Sequence, residues 1–152
     1  MKKIVLLLIA MIFGGLYAQD AGLGIGTNVG EPVGLSAKYW LNNQNSIEAT
    51  LGYSYLKTNG ALDISAVYNY TKYNYISIFE KKFHFNYGLG FSYSTNFAGN
   101  YIFGVKTTAQ IFSYILESPT DYYFNISPIL GLFPKVNLYM DVNLGIRYYL
   151  GY

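Results

Sequence analysis

The chain has no cysteine, one histidine, one tryptophan and four prolines in 152 residues. Without thiols it can form neither a disulfide framework nor a thiolate metal site. The single histidine, His84, leaves too few partners for a nucleophile–base–acid grouping or for a metal constellation. Charge is also scarce. Asp, Glu, Lys and Arg make up 12% of the residues, about half the ~25% of a typical soluble domain. Beyond the N-terminal stretch, no segment approaches the ~18 consecutive apolar residues of a membrane-spanning helix. These absences argue against an ordinary water-facing enzyme and against a helical membrane protein. What is abundant is tyrosine (18), phenylalanine (10) and glycine (16) in a chain that is 52% hydrophobic. That composition points to a transmembrane β-barrel.

The first 18 residues read as an address. Lys2 and Lys3 precede an apolar run from Ile4 to Phe13, and small residues ending at Ala18 lead to the polar Gln19-Asp20. A basic start, a short apolar core and a small-residue exit make a secretory signal peptide, and the run is too short to span a bilayer. The expected domains are therefore a signal peptide, 1–18, and a barrel, 19–152. Lys2 and Lys3 take two of the ten basic residues with them, and the other eight equal the eight acidic ones. A neutral mature chain offers no electrostatic footprint for nucleic acid.

From there the pattern has a period of two, in eight segments: 21–28, 33–41, 46–56, 61–73, 83–95, 101–116, 122–133 and 138–152. The fifth is the most regular, with Phe83, Phe85, Tyr87, Leu89, Phe91 and Tyr93 alternating against His84, Asn86, Gly88, Gly90, Ser92 and Ser94. Such alternation marks strands with one apolar and one polar face, and Gly-, Pro- and Asn-containing clusters separate them. Three places are less regular. Residues 74–82 lengthen the fourth strand or form a connection, both faces carry aromatics after Gln110, which implies a bulge or a covered end, and Pro128 removes one ladder hydrogen bond. The predicted fold is all-β, an eight-stranded antiparallel up-and-down transmembrane barrel with short turns.

Alternation does not say which face points outward, since a soluble barrel alternates too. The polar face answers: it is built of Gly, Ser, Thr and Asn with few charges, which suits a narrow lumen better than a wet surface. The apolar face is rich in Tyr and Phe near strand ends, as in aromatic girdles. The polar-face charges are Lys38, Glu48, Asp63, Lys106, Asp141 and Arg147, three of each sign. In so narrow a barrel side chains fill the interior, so these six are expected to pair in a network, with trapped water. The alternating Gly22, Gly24 and Gly26 read as lumen packing, since no helix follows to make a phosphate loop.

The layout resembles small OmpA/OmpX-type outer-membrane barrels. The stretch Gly30 to Leu41 (GEPVGLSAKYWL) and the ending Gly145 to Leu150 (GIRYYL) resemble a family of short, mostly uncharacterised bacterial outer-membrane barrel-like proteins. The last strand also resembles the signal read by the barrel-assembly machinery, through Asn143, Gly145, Tyr148, Leu150 and the closing Tyr152. The resemblance implies an outer-membrane location, contact with outer-membrane lipid and lipopolysaccharide, and both termini in the periplasm. The connections near 29–32, 57–60, 96–100 and 134–137 would then be extracellular. His84 falls at the opposite end, away from surface lipid, and is read as a polar lumen or interface residue. The functional expectation is a monomeric, non-catalytic barrel without cofactor, structural or interacting in role. A narrow pore and a surface-exposed binding protein are the alternatives.

Overall fold

The computed structural model describes residues 22–57, 60–78, 81–96, 98–115 and 118–150; the expected signal peptide and Tyr152 lie outside them. Eight strands follow one another: β1 (Leu23–Glu31), β2 (Val33–Trp40), β3 (Asn45–Ser54), β4 (Ala61–Ile78), β5 (Lys81–Thr95), β6 (Tyr101–Tyr114), β7 (Thr120–Phe133) and β8 (Asn137–Leu150). Each pairs antiparallel with its neighbour, and β1 pairs with β8 from Leu23↔Leu150 to Glu31↔Val142, closing the barrel. Closure removes the free edges that an open sheet would present.

The period-two pattern becomes a division between inside and outside. In β4, Asp63, Ser65, Val67 and Asn69 are buried, and Leu62, Ile64, Ala66 and Tyr68 are exposed. In β8, Asp141, Asn143, Arg147 and Tyr149 are buried between the exposed Val142, Leu144, Ile146, Tyr148 and Leu150. The interior is thus mainly polar and the outer wall apolar. Aliphatic side chains such as Leu89 and Leu144 occupy the middle of the outer wall. Aromatic pairs lie towards the ends: Tyr93–Tyr101 and Phe91–Phe103 at one, Tyr70–Tyr87 and Tyr75–Phe85 at the other.

We call the end holding the start of β1 and the finish of β8 the terminal end, and the other the distal end. Glycine sets how tightly the strands approach. A Cβ at Gly26 would overlap the backbone of Ile146 and Arg147 across the β1–β8 seam, where the closing strands come together. Gly145 lies under the Tyr123 ring of the neighbouring strand, an aromatic filling the space that the glycine leaves.

The irregular places resolve individually. β4 runs on to Ile78, so most of the 74–82 stretch is strand, with a register shift between Lys72 and Ile76 and Asn74 at φ 54°. The strands β4 and β5 therefore project past their neighbours, since β3 pairing stops at Tyr70 and β6 pairing at His84. In β6 the irregularity lies at Phe103/Gly104 rather than after Gln110. The second aromatic face there is a covered end: Phe112 turns inward and packs with Trp40, Tyr123 and Tyr149. β7 begins at Thr120, two residues before the expected start, and Asp121 follows the same inward parity as Tyr123 and Asn125. Pro128 sits within β7, where its carbonyl accepts from the Thr107 hydroxyl at 3.3 Å.

Candidate functional site in the barrel lumen

Among the described residues, eight charged side chains are buried inside the barrel: Lys38, Glu48, Lys57, Asp63, Lys106, Asp121, Asp141 and Arg147. All six expected from the sequence are among them. The geometry divides the eight into two electrically neutral quartets.

The distal quartet combines Lys57, Lys106, Asp63 and Asp141. Lys57 Nζ lies 2.7 Å from a carboxylate oxygen of Asp63 and 2.7 Å from one of Asp141, while Lys106 Nζ lies 2.8 Å from the other Asp141 oxygen. Small hydroxyls complete the shell. Ser94 donates to Asp63 at 2.5 Å and Ser92 at 3.4 Å, and Lys106 donates to Ser65 at 3.1 Å. Lys57 comes from the connection after β3, where its amide donates to Ser54 Oγ at 3.1 Å and turns the chain into the lumen. Burial lowers its pKa, but Asp141 and Asp63 more than offset this and hold it above the ordinary lysine value.

The terminal quartet combines Arg147, Lys38, Glu48 and Asp121. Arg147 spans both carboxylates: Nη1 is 2.8 Å from Glu48, while Nε and Nη2 donate to the two Asp121 oxygens at 3.1 and 3.2 Å. This two-pronged geometry is what a guanidinium offers and an ammonium does not. Tyr149 donates to Asp121 at 2.6 Å, and a chain from Thr71 through Asn86 to Gln110 ends on Glu48. Lys38 corrects the expectation of mutual pairing. It stands opposite Glu48 in the β2–β3 register, yet among the described residues its Nζ makes no hydrogen bond and no carboxylate pair. It sits instead 4.2 Å from the Trp40 ring centroid and 4.3 Å from that of Phe112. The aromatic faces take the place of the missing anion.

The sequence reading missed two members. Asp121 lies one residue before the expected start of its strand, so extending the alternation would have found it. Lys57 had no such signal, because a bend after Ser54 brings it inward from outside any strand.

Between the quartets the lumen narrows to a cavity of about 10 Å³ lined in part by Glu48, Thr50, Ser65, Asn69, Lys106 and Thr108. That is room for about one water molecule. Towards the terminal end the lumen is filled by the Trp40, Phe112, Tyr123 and Tyr149 rings, with Tyr114 against them. A larger concavity, about 350 Å³, opens at the distal end between the connections after β5 and β7, with Tyr101, Lys135, Asn137 and Tyr139 in its lining.

His84 belongs to the aromatic end. Its Nδ1 accepts from the Asn74 amide at 3.1 Å, and its ring lies 5.0 Å from both Tyr73 and Phe112. Among the described residues, no three His, Asp or Glu side chains converge as metal ligands do. Of the residues resembling an assembly signal, Asn143 points inward and donates to the Glu31 carbonyl at 3.4 Å. Gly145 accommodates Tyr123, and Tyr148 and Leu150 lie on the outer wall.

The chain matches no protein-family model, no curated protein and no solved structure in comparisons with each. The eight-stranded closed barrel therefore rests on its own geometry.

Proposed function

We propose that the protein is an integral outer-membrane β-barrel with a sealed lumen, non-catalytic, with a structural or interaction role. One observation carries the reading: the solvation of the barrel is inverted. Among the described residues, eight charged side chains are buried inside, with Arg147 and Lys38 each 0% exposed, and most large apolar side chains are outside, with Leu89 60% and Phe91 59% exposed. Burying a Leu or Phe side chain is worth about 1.5–3 kcal/mol, and a barrel in water would forgo that at position after position around its wall. Monomeric soluble proteins rarely expose apolar patches beyond about 300–600 Å². Hydrocarbon around the wall removes the problem, and a closed ladder satisfies the backbone there. The N-terminal address and the resemblance to OmpA/OmpX-type barrels support the outer membrane in particular. Assembly by the barrel-insertion machinery, and contact with lipopolysaccharide, belong to the same proposal.

The test is heat-modifiable gel mobility of the detergent-folded protein, together with retention in vesicles after alkaline washing. A single mobility with and without boiling, or release by the wash, would overturn the reading. The lumen favours a structural role over conduction, because among the described residues the cavity between the two ion-paired layers has room for about one water molecule. Steady large single-channel currents from the reconstituted protein would reverse that choice. The open distal groove with its exposed Tyr101 favours surface binding as the second reading, which replacement of residues 134–137 in a binding assay addresses.

A further inference from the structure

The projecting parts of β4 and β5 carry an outer belt in which aromatic rings and lysines interleave. Lys72 Nζ lies 5.7 Å from the Tyr87 ring centroid, and Tyr75 stacks on Phe85 at 5.3 Å. Phe83 meets the Tyr122 ring edge-on at 6.2 Å, and Lys81 Nζ lies 5.9 Å over that same ring. The register explains the grouping. Lys72 pairs with Phe85 and Ile76 with Phe83, and Lys81 has the same parity as Phe83 and Phe85 in β5, so these side chains share the outer face.

The exposed lysines are unevenly shared between the two ends of the barrel. Of the four exposed lysines among the described residues, Lys72, Lys81 and Lys82 belong to this hairpin, and only Lys135 is distal. The segment 72–82 holds those three lysines against one glutamate, Glu80, which lies outside the described residues. The described carboxylates nearest this end, Glu48 and Asp121, face the lumen and are committed to Arg147, so they do not neutralise the outer belt. Rings at the hydrocarbon boundary with flexible ammonium groups beside them match one chemistry: a phosphate-bearing headgroup above an acyl chain.

We infer that this belt, centred on Lys72, Lys81, Tyr75, Phe85, Tyr87 and Tyr122, is a docking surface for anionic phospholipid headgroups at the terminal end of the barrel. The inference rests on the membrane reading and adds to it a lipid preference and a site. The lysines attract the phosphates, the rings set the depth at which they sit, and the projecting hairpin extends the contact past the neighbouring strands.

The test is spin-label electron paramagnetic resonance of boundary lipid around the protein folded in phosphatidylcholine vesicles. It reads the association of labelled phosphatidylglycerol relative to labelled phosphatidylcholine. The wild-type protein should prefer phosphatidylglycerol several-fold, falling as salt is raised. Juxtamembrane lysines each contribute roughly fivefold at an anionic surface, so K72Q/K81Q should bring the ratio close to one. K135Q should leave it unchanged. Heat-modifiable mobility of each variant verifies that it is folded. A wild-type ratio of one, a preference that survives K72Q/K81Q, or one lost in K135Q overturns the inference. Failure of the wild-type protein to enter the vesicles at all is a different result, and it overturns the membrane reading beneath it.

Discussion

The two halves of the lumen solve the same problem with different materials. Both hold two cations and two carboxylates away from bulk water. The distal quartet is solvated by serines, and its ion pairs are shared, so that Asp141 serves both Lys57 and Lys106. The terminal quartet depends on a single guanidinium reaching two carboxylates, and its second cation, Lys38, lies between aromatic rings. Charge neutrality is common to both, while redundancy is not. A site with several small partners loses one of them at modest cost, whereas a site with one central group fails with it.

Arg147→Met should have the largest effect, because it leaves Glu48 and Asp121 buried without their cation. Breaking a buried pair in this way costs about 3–5 kcal/mol, read as a fall in the urea midpoint of the lipid-folded protein. Arg147→Lys should recover only part of it, since one ammonium does not reproduce the fork. Asp141→Asn should cost less, about 2 kcal/mol, because Asp63 still holds Lys57 and Ser65 still accepts from Lys106. Combining it with Lys106→Met should cost less than the two single changes added together, a coupling that a double-mutant cycle measures. Lys38→Met should cost about 1 kcal/mol or less, because it removes a cation–π contact but no hydrogen bond. A Lys38→Met penalty equal to that of Arg147→Met would erase the contrast between shared and central cations. Ser94→Ala is expected at the small end too, about 1 kcal/mol for one hydrogen bond to Asp63; no shift in midpoint would mean that Ser92 and Lys57 suffice.

Much of this arrangement was legible in the chain. Glu48, Asp63, Lys106, Asp141 and Arg147 fall on inward parity because side chains in a strand alternate by geometry, whatever the neighbours. Trp40 and Tyr149 share that inward parity for the same reason. Their role became evident only when Phe112 and Tyr123, from other strands, met them at the terminal end. Lys57 was hidden because no periodicity covers a bend. The projection of β4 and β5 was only half visible, since Asn74 with its positive φ breaks the alternation where the strand continues.

The sequence by itself determined that there would be eight strands and which side chains would share a face, since a period of two is a local property of extended backbone. It also determined the small size of the groups inside, because serine, glycine and asparagine occupy most inward positions. Only the tertiary structure decided which charge meets which. Asp63 on β4 and Asp141 on β8 are brought to one lysine by closure of the ring, and closure is not written in any single strand. The same step brought the Phe112 ring of β6 to Lys38, beside Trp40 of its own strand, because inside a narrow barrel side chains of distant strands meet across the lumen.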